Sequence, residues 1–272
     1  MTPRSVQQVC SSTYADNGRA TQIYGEVFRL TFEYVYGSHI PGAIVEFGCF
    51  EGFSTLLLAD LISEFNAQSD FYAALFPRHF YVYDSFAGFP KSTNPVDSIC
   101  YEVADSGYWR EHEDASPPGT EEMLRQELPR RLGTADWTVV RGIFSDTLVS
   151  APITEPVAIV NLDCDLYAST VDVLDHLLGG RLLPDGAVLL MDDYNCNRAN
   201  PRFGMRRALR ECFARTDGFY DYSEFVRYGW HGRAFFVHRM GDSPDPANGD
   251  SPSLANGDSS GSANGDSPSP GN

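Results

Sequence analysis

Short apolar runs alternate along the chain with longer segments whose apolar residues recur at helical spacing. The apolar runs are nearly continuous, which is typical of strands covered on both faces in a parallel sheet. Strands that alternate with helices predict an α/β fold with a doubly wound sheet and ligands at the carboxyl ends of the strands. The predicted strands are 43–47, 79–84, 137–142, 157–163 and 186–193, and the predicted helices are 19–36, 54–65, 120–132, 169–182 and 201–216.

The last part of this pattern departs from the alternation of strand and helix. Two β-rich runs in "EFVRYGWHGRAFFVHR" flank Gly229 and Gly232, which predicts an antiparallel hairpin. Five parallel-type strands followed by a hairpin describe a seven-stranded, mostly parallel sheet with one reversed strand. That layout is typical of methyltransferases.

The turn after the first predicted strand has the composition of a ligand-binding turn. In "VEFGCFEGFST" (45–55), Gly48 and Gly52 allow the backbone to approach a ligand closely. The dinucleotide fingerprint GxGxxG is absent, and Glu46 before the turn favours an amine-bearing ligand over a diphosphate. Asp84 ends the second strand, where an acid accepts hydrogen bonds from ribose hydroxyls in nucleoside sites. Taken alone, Asp84 is equally typical of a residue that caps the following turn.

Four carboxylates follow the fourth and fifth predicted strands. Asp163 and Asp165 lie in "NLDCDLYAST", and Asp192 and Asp193 lie in "LLMDDY". The carboxyl ends of neighbouring parallel strands lie about 4.8 Å apart, so three or four acids should converge there and repel one another. An all-oxygen set suits Mg²⁺, with Mn²⁺ or Ca²⁺ as alternatives. The competing interpretation is that these acids cap helices and pair with arginines, as at residues 198 and 202.

Composition narrows the class of protein further. A net charge of −17 over 272 residues argues against a nucleic-acid partner, and no apolar run is long enough to span a membrane. The six cysteines are scattered without a CxxC pair, which predicts reduced thiols and a cytoplasmic protein. An eight-residue repeat, "ANGDSPSL" and its variants, begins at residue 247. We therefore expect a folded domain over 1–240 and a disordered acidic tail over 241–272.

Five stretches resemble, in order, the macrocin O-methyltransferase (TylF-type) family of metal-dependent S-adenosylmethionine enzymes that methylate sugar hydroxyls of antibiotics. They are "IPGAIVEFGCFEGFST", "YVYDSFAGFP", "RGIFSDTL", "LDCDLYAST" and "LPDGAVLLMDDY", and they fall within about residues 20–240. The resemblance implies a Rossmann-like class I methyltransferase fold, a small-molecule hydroxyl acceptor and a homodimer. One departure is that Glu51, Gly52 and Phe53 stand where the family often has a basic residue and two glycines.

The same resemblance assigns roles to individual residues. Asp163, Asp192 and Asp193 would bind Mg²⁺, and Asp163, or else Asp165, would be the catalytic acid nearest the acceptor proton. The cofactor, S-adenosylmethionine, would be bound at its methionine end, its ribose and its adenine by Glu46, Gly48, Ser54, Asp84, Ser85, Phe86, Gly142, Ile143, Phe144 and Asp146.

Three rival functions remain open on the sequence. A nucleotide-dependent dehydrogenase would share the glycine turn and Asp84, although the missing fingerprint and the hairpin count against it. The others are a catalytically silent cofactor-binding module that uses its acidic tail for partners, and a metal-dependent phosphohydrolase without evident basic phosphate ligands. The six histidines are isolated and are predicted to be structural. Residues 85–118 predict a long functional loop, with Tyr101, Tyr108 and Trp109 as an acceptor wall or as internal packing.

Overall fold

The strands form one seven-stranded sheet in the order β3-β2-β1-β4-β5-β7-β6. The structure is a computed structural model that describes residues 4–10, 18–68, 78–90, 94–98 and 117–241. Pairs among β1 to β5 are parallel, and β7 runs antiparallel to both β5 and β6, so the predicted doubly wound sheet with a closing hairpin is confirmed. The strands are β1 (Ala43–Phe47), β2 (Phe80–Asp84), β3 (Trp137–Arg141), β4 (Val157–Leu162), β5 (Val188–Met191), β6 (Tyr220–Tyr228) and β7 (Gly232–Arg239).

Helices cover both faces of the sheet and match the predicted segments to within a few residues. Three helices were not predicted, because segments of four to seven residues carry too little periodicity to distinguish a helix from a turn: 6–9, 95–98 within the predicted loop 85–118, and 144–150. The helices are α1 (Val6–Val9), α2 (Arg19–Gly37), α3 (Phe53–Gln68), α4 (Pro95–Ser98), α5 (Thr120–Leu132), α6 (Phe144–Ser150), α7 (Tyr167–Gly179) and α8 (Gly204–Ala214).

Two apolar clusters, one on each face, bury the sheet. On one face α2, α3 and α5 pack through fully buried residues such as Phe28, Leu56 and Leu124. On the other face α6, α7 and α8 pack through a second set that includes Leu174 and Leu209. Because β1 is covered on both sides, all five of its residues are buried, which explains why every one of them except Glu46 is apolar.

The strand order reverses between β1 and β4, which are neighbours in the sheet. In doubly wound sheets the connections leave such a pair on opposite faces, and a crevice opens beyond the carboxyl ends of the two strands. The ends of β1 and β4 nearly touch, since the amide of Asp163 donates to the carbonyl of Phe47 at 2.9 Å. The site residues therefore meet at this reversal of strand order.

The N-terminus of α7 is capped from a distant segment. Its own N-cap residue, Leu166, has no side chain that can accept a hydrogen bond. The carboxylate of Asp97 in α4 instead accepts from the amides of Tyr167 and Ala168, at 2.7 and 3.2 Å. An acid at a helix N-terminus also interacts favourably with the helix dipole. The predicted loop 85–118 is thus anchored beside the acids that follow β4.

Several sequence predictions concern residues that the structure does not describe or a property it does not test. Most of the loop 91–119, with its three aromatic residues, and the acidic repeat lie outside the described residues. No helix in the described ranges is both long and apolar enough to cross a bilayer. The five described cysteines are free thiols, and a cytoplasmic location and a homodimer stay predictions.

Candidate active site

One cavity lies over the carboxyl ends of β1, β2, β4 and β5. It extends from the glycine turn after β1 to the carboxylates after β4 and β5, and seven of the ten predicted cofactor residues line it. Those seven are Gly48, Ser54, Asp84, Ser85, Gly142, Ile143 and Phe144. The aromatic part of its wall includes Tyr24, Phe50, Phe53 and Phe89.

The glycine turn is held against the end of β2 by Asp84. One oxygen of its carboxylate accepts from the amides of Cys49 and Phe50, at 2.7 and 3.3 Å. The other oxygen accepts from the amide of Phe86 at 2.6 Å, which is the turn-capping role that was the alternative interpretation. The clamp leaves the Asp84 carboxylate on the wall of the cavity.

Glu46 lies beneath the cavity and not on its wall. It is fully buried on β1, where its carboxyl group accepts hydrogen bonds from the Thr55 hydroxyl at 2.5 Å and the Asn161 side-chain amide at 3.0 Å. Burial raises the pKa of Glu46 to about 7, and the hydrogen bonds from its neighbours only partly oppose that shift. Glu46 thus joins β1, α3 and β4 below the glycine turn, and its predicted place on the wall of the cofactor site is taken by other residues of that turn.

Replacing Glu46 with glutamine should change the pH dependence of stability. The folded-state pKa lies above the usual value of 4.5, so the folded protein holds a proton that the unfolded chain releases. The stabilisation is fully present below pH 4.5 and is lost as the pH rises through 7, by roughly 3 kcal/mol. Chemical denaturation of wild type and Glu46→Gln at pH 5 and pH 8 should show this loss in the wild type and its absence in the variant.

The matched control is Glu26→Gln on the exposed face of α2. It removes one carboxylate at the surface, so its stability should follow the wild-type pH dependence. Equal pH dependence in Glu46→Gln and the wild type would show that Glu46 does not carry this proton.

Three carboxylates converge at the other end of the cavity. One oxygen from each of Asp163, Asp192 and Asp193 lies within 4.8 Å of the other two. Burial and the negative charges of its two neighbours raise the pKa of Asp163 well above its usual range. Burial together with the charge of Asp192 raises the pKa of Asp193 to about 6. Ionisation of Asp163 and Asp193 is therefore disfavoured unless a cation lies nearby.

Asp165 lies beside the same cluster, although its position does not follow from the alternation of side chains along β4. β4 ends at Leu162, and Asp165 has a left-handed backbone (φ 54°), so it does not continue the strand face that Asp163 begins. Its burial and the charges of Asp193 and Asp163 raise its pKa well above the usual range. Asp165 also lines the cavity, which leaves both acids after β4 as candidates for the proton acceptor.

The chemistry of the cluster fits a hard divalent cation. Oδ1 of Asp192 and Oδ2 of Asp193 are buried and have no hydrogen-bond partner. Such oxygens are costly to bury, and a cation with oxygen ligands removes that cost. Among the described residues, His231 forms an ion pair with Asp192 in this cluster. The buried carboxylate oxygens without a hydrogen-bond partner thus favour the metal interpretation.

Two functional residues were missed at the sequence level. The Tyr24 hydroxyl donates to Oδ2 of Asp192 at 2.9 Å, and Nδ1 of His231 lies 3.4 Å from Oδ1 of the same residue. His231 was predicted to be structural, and its contacts with Asp192 place it beside the acid cluster. Burial lowers the pKa of His231, but the hydrogen bond and charge of Asp192 outweigh burial and raise it to about 9.

Two other predicted cofactor residues do not line the cavity. Phe86 has a left-handed backbone (φ 50°), and its ring turns toward the Arg141 guanidinium, 5.3 Å away. Asp146 lies exposed in the first turn of α6, where an acid favours the helix dipole. Neither side chain contributes to the cavity wall, although both segments adjoin it.

Residues 25–222 match the family described as macrocin-O-methyltransferase (TylF). A 4'-O-methyltransferase of Streptomyces olivaceus, which acts on 8-demethyl-8-(2,3-dimethoxy-α-L-rhamnosyl)-tetracenomycin C, is 31% identical over 191 residues. That alignment covers 68% of this chain and 67% of the relative. The mycinamicin III 3''-O-methyltransferase of Micromonospora griseorubida is 29% identical over 160 residues, 57% of this chain and 56% of the relative.

A solved structure, that of the O-methyltransferase NovP, shares the fold. It superposes with a TM-score of 0.58 at 24% identity and covers 81% of both chains. The seven-stranded sheet with its reversed strand β7 is thus the class I methyltransferase fold, as predicted.

Proposed function

The chain belongs to the macrocin-O-methyltransferase (TylF) family of S-adenosylmethionine-dependent enzymes, and on that premise we propose that it methylates a sugar hydroxyl of a glycosylated natural product. The observation that carries the proposal is the single cavity that joins the glycine turn to the carboxylates Asp163, Asp192 and Asp193. A nucleoside cofactor and a cation-held hydroxyl would meet in that cavity. The hairpin, the family match and the absence of a GxGxxG turn count against the dehydrogenase.

The glycine turn would bind the cofactor through its backbone. Gly48 (φ 90°) brings the chain close to the end of β4, and it lines the cavity together with Ser54, at the start of α3. Asp84 fixes the two adjoining loops and, on the cavity wall, would accept a hydrogen bond from the ribose. Ile143 and Phe144 would form the apolar surface for the adenine. The bound cofactor supplies a methyl group already activated on a sulfonium, so the chain itself needs only to position and deprotonate the acceptor.

The acid cluster would prepare the acceptor oxygen. Asp163, Asp192 and Asp193 would hold Mg²⁺, which supplies a positive charge that lowers the pKa of a sugar hydroxyl. The carboxylate of Asp163, or that of Asp165 beside it, would take the hydroxyl proton as the carbon–oxygen bond forms and the carbon–sulfur bond breaks. Phe50, Phe53 and Phe89 line the same cavity and would exclude water from the reacting atoms.

The proposal is tested with the full chain, S-adenosylmethionine, Mg²⁺ and a panel of rhamnosylated polyketides alongside their sugar-free aglycones. We expect S-adenosylhomocysteine to form and the mass of one methylene to be added to the sugar, with no turnover after EDTA treatment. Methylation of an aglycone hydroxyl would contradict the sugar acceptor, and full turnover in EDTA would contradict the metal. A chain that binds NAD but not S-adenosylhomocysteine in a thermal-shift assay would contradict the transferase itself.

A further inference from the structure

Asp192 is held from two sides by residues that come from opposite ends of the chain. Tyr24 on α2 donates its hydroxyl to Oδ2 of Asp192 at 2.9 Å. His231, in the turn between β6 and β7, donates from Nδ1 to the backbone carbonyl of Asp192 at 2.9 Å. The same nitrogen lies 3.4 Å from Oδ1. Both the backbone and the carboxylate of Asp192 are therefore fixed in place.

The two donors are themselves rigidly placed. The Tyr24 ring packs against Phe28 and Phe53 with ring centroids 5.8 and 6.0 Å apart, and against Tyr228 at 6.2 Å. The ring of His231 packs edge-on against Tyr228 at 6.1 Å. Interlocked rings of this kind leave a hydroxyl and an imidazole little freedom to move. The direction of both hydrogen bonds is thus set by packing.

We infer that Tyr24 and His231 are positioning residues that hold Asp192 in the orientation in which it binds a divalent cation, and so set the affinity of that site. The inference rests on the proposed metal centre formed by Asp163, Asp192 and Asp193. Three carboxylates this close repel one another, and Asp192 would rotate away unless donors held it. Tyr24 donates to Oδ2, while Oδ1 is buried without a hydrogen-bond partner and lies 3.4 Å from Nδ1 of His231.

Hydrogen-bond donors behind a metal ligand commonly change metal affinity by 10- to 100-fold. Both residues lie outside the region 25–222 that matches the family, so the family match does not assign them a role. Tyr24 also lines the cavity, although its inferred role here is exerted through Asp192.

The test measures Mn²⁺ binding by electron paramagnetic resonance, which requires neither acceptor nor turnover. Tyr24→Phe keeps the ring but removes the hydroxyl, and it should weaken Mn²⁺ binding by roughly 10-fold or more. The affinity for S-adenosylhomocysteine, measured by calorimetry, should stay at the wild-type value. The matched control is Tyr34→Phe on the same helix, whose ring packs against Phe225 and Phe236 away from the cluster. Its Mn²⁺ affinity should equal that of the wild type.

His231 is tested by a pair of variants. His231→Asn retains a side-chain N–H near the position of Nδ1 and should keep most of the Mn²⁺ affinity, whereas His231→Ala should lose it as Tyr24→Phe does. Equal Mn²⁺ affinity in wild type, Tyr24→Phe and His231→Ala would overturn the positioning role. Absence of Mn²⁺ binding in the wild type would instead overturn the proposed metal centre, so the two failures are distinguishable.

Discussion

Asp192→Ala is expected to lower kcat by about a thousandfold while the chain still folds and binds S-adenosylhomocysteine. The variant removes one of three carboxylates whose oxygens lie within 4.8 Å of one another. A cation held at this cluster would stabilise the negative charge left on the acceptor oxygen as its proton leaves by several kcal/mol, and about 4 kcal/mol corresponds to a thousandfold in rate. The loss should appear in kcat, because the glycine turn that would bind the cofactor lies at the other end of the cavity.

One further variant separates the charge of Asp192 from its shape, and a second variant, at Asp221, is the matched control. Asp192→Asn keeps the size of the side chain and an oxygen for the Tyr24 hydroxyl but loses the charge, so its kcat should fall nearly as far. Asp221→Ala removes an exposed carboxylate on β6, at the edge of the sheet, and should keep wild-type kcat. Retention of wild-type turnover by Asp192→Ala, with or without EDTA, would show that this carboxylate has no catalytic role.

The convergence of the acids was predictable because it depends only on local pattern and sheet topology. Two short apolar runs, each ending in paired aspartates, predict neighbouring parallel strands whose carboxyl ends meet. β4 and β5 do pair in parallel, with Leu162 opposite Met191, so the next residues on each strand face each other across one edge. That register brings Asp163, Asp192 and Asp193 together, whereas the choice of these three among the four acids as metal ligands came from the family resemblance.

By contrast, the residues around the acids could not be predicted, because their contacts depend on more than local pattern and sheet topology. Tyr24 belongs to the apolar stripe of an amphipathic helix, where periodicity predicts burial but not what a hydroxyl will contact. His231 lies in a hairpin turn, and its distance to Asp192 depends on β7 pairing with β5. The burial of the Glu46 side chain likewise depends on α3 and β4, which cover it. Long-range packing decides each of these contacts, and a single sequence does not encode it in a local pattern.

Gly48→Ala is expected to cost about 4 kcal/mol of unfolding free energy or more, an exceptional value for one methyl group. Gly48 has a φ of 90°, where a side chain is strained. A Cβ at this position would also overlap the backbone carbonyl oxygen and carbon of Asp163. This carbonyl cannot move away, because Asp163 directly follows β4 and its amide donates a hydrogen bond to the carbonyl of Phe47. Thermal unfolding should show a Tm lower by roughly 10 °C, and S-adenosylhomocysteine binding should be lost.

The same substitution at Gly25 is expected to have the opposite effect on stability. Gly25 lies within α2, and a Cβ there would meet no atom within 4 Å, so alanine should stabilise the helix by about 0.5–1 kcal/mol. If the Gly48→Ala protein had wild-type Tm and cofactor affinity, β1 and β4 would be able to separate without any loss of unfolding free energy. The close approach of these two strands would then not be what shapes the site. If instead the two variants move stability in opposite directions, the carbonyl of Asp163 requires glycine at position 48, and the proposed cofactor turn is then held against the backbone of a proposed metal ligand.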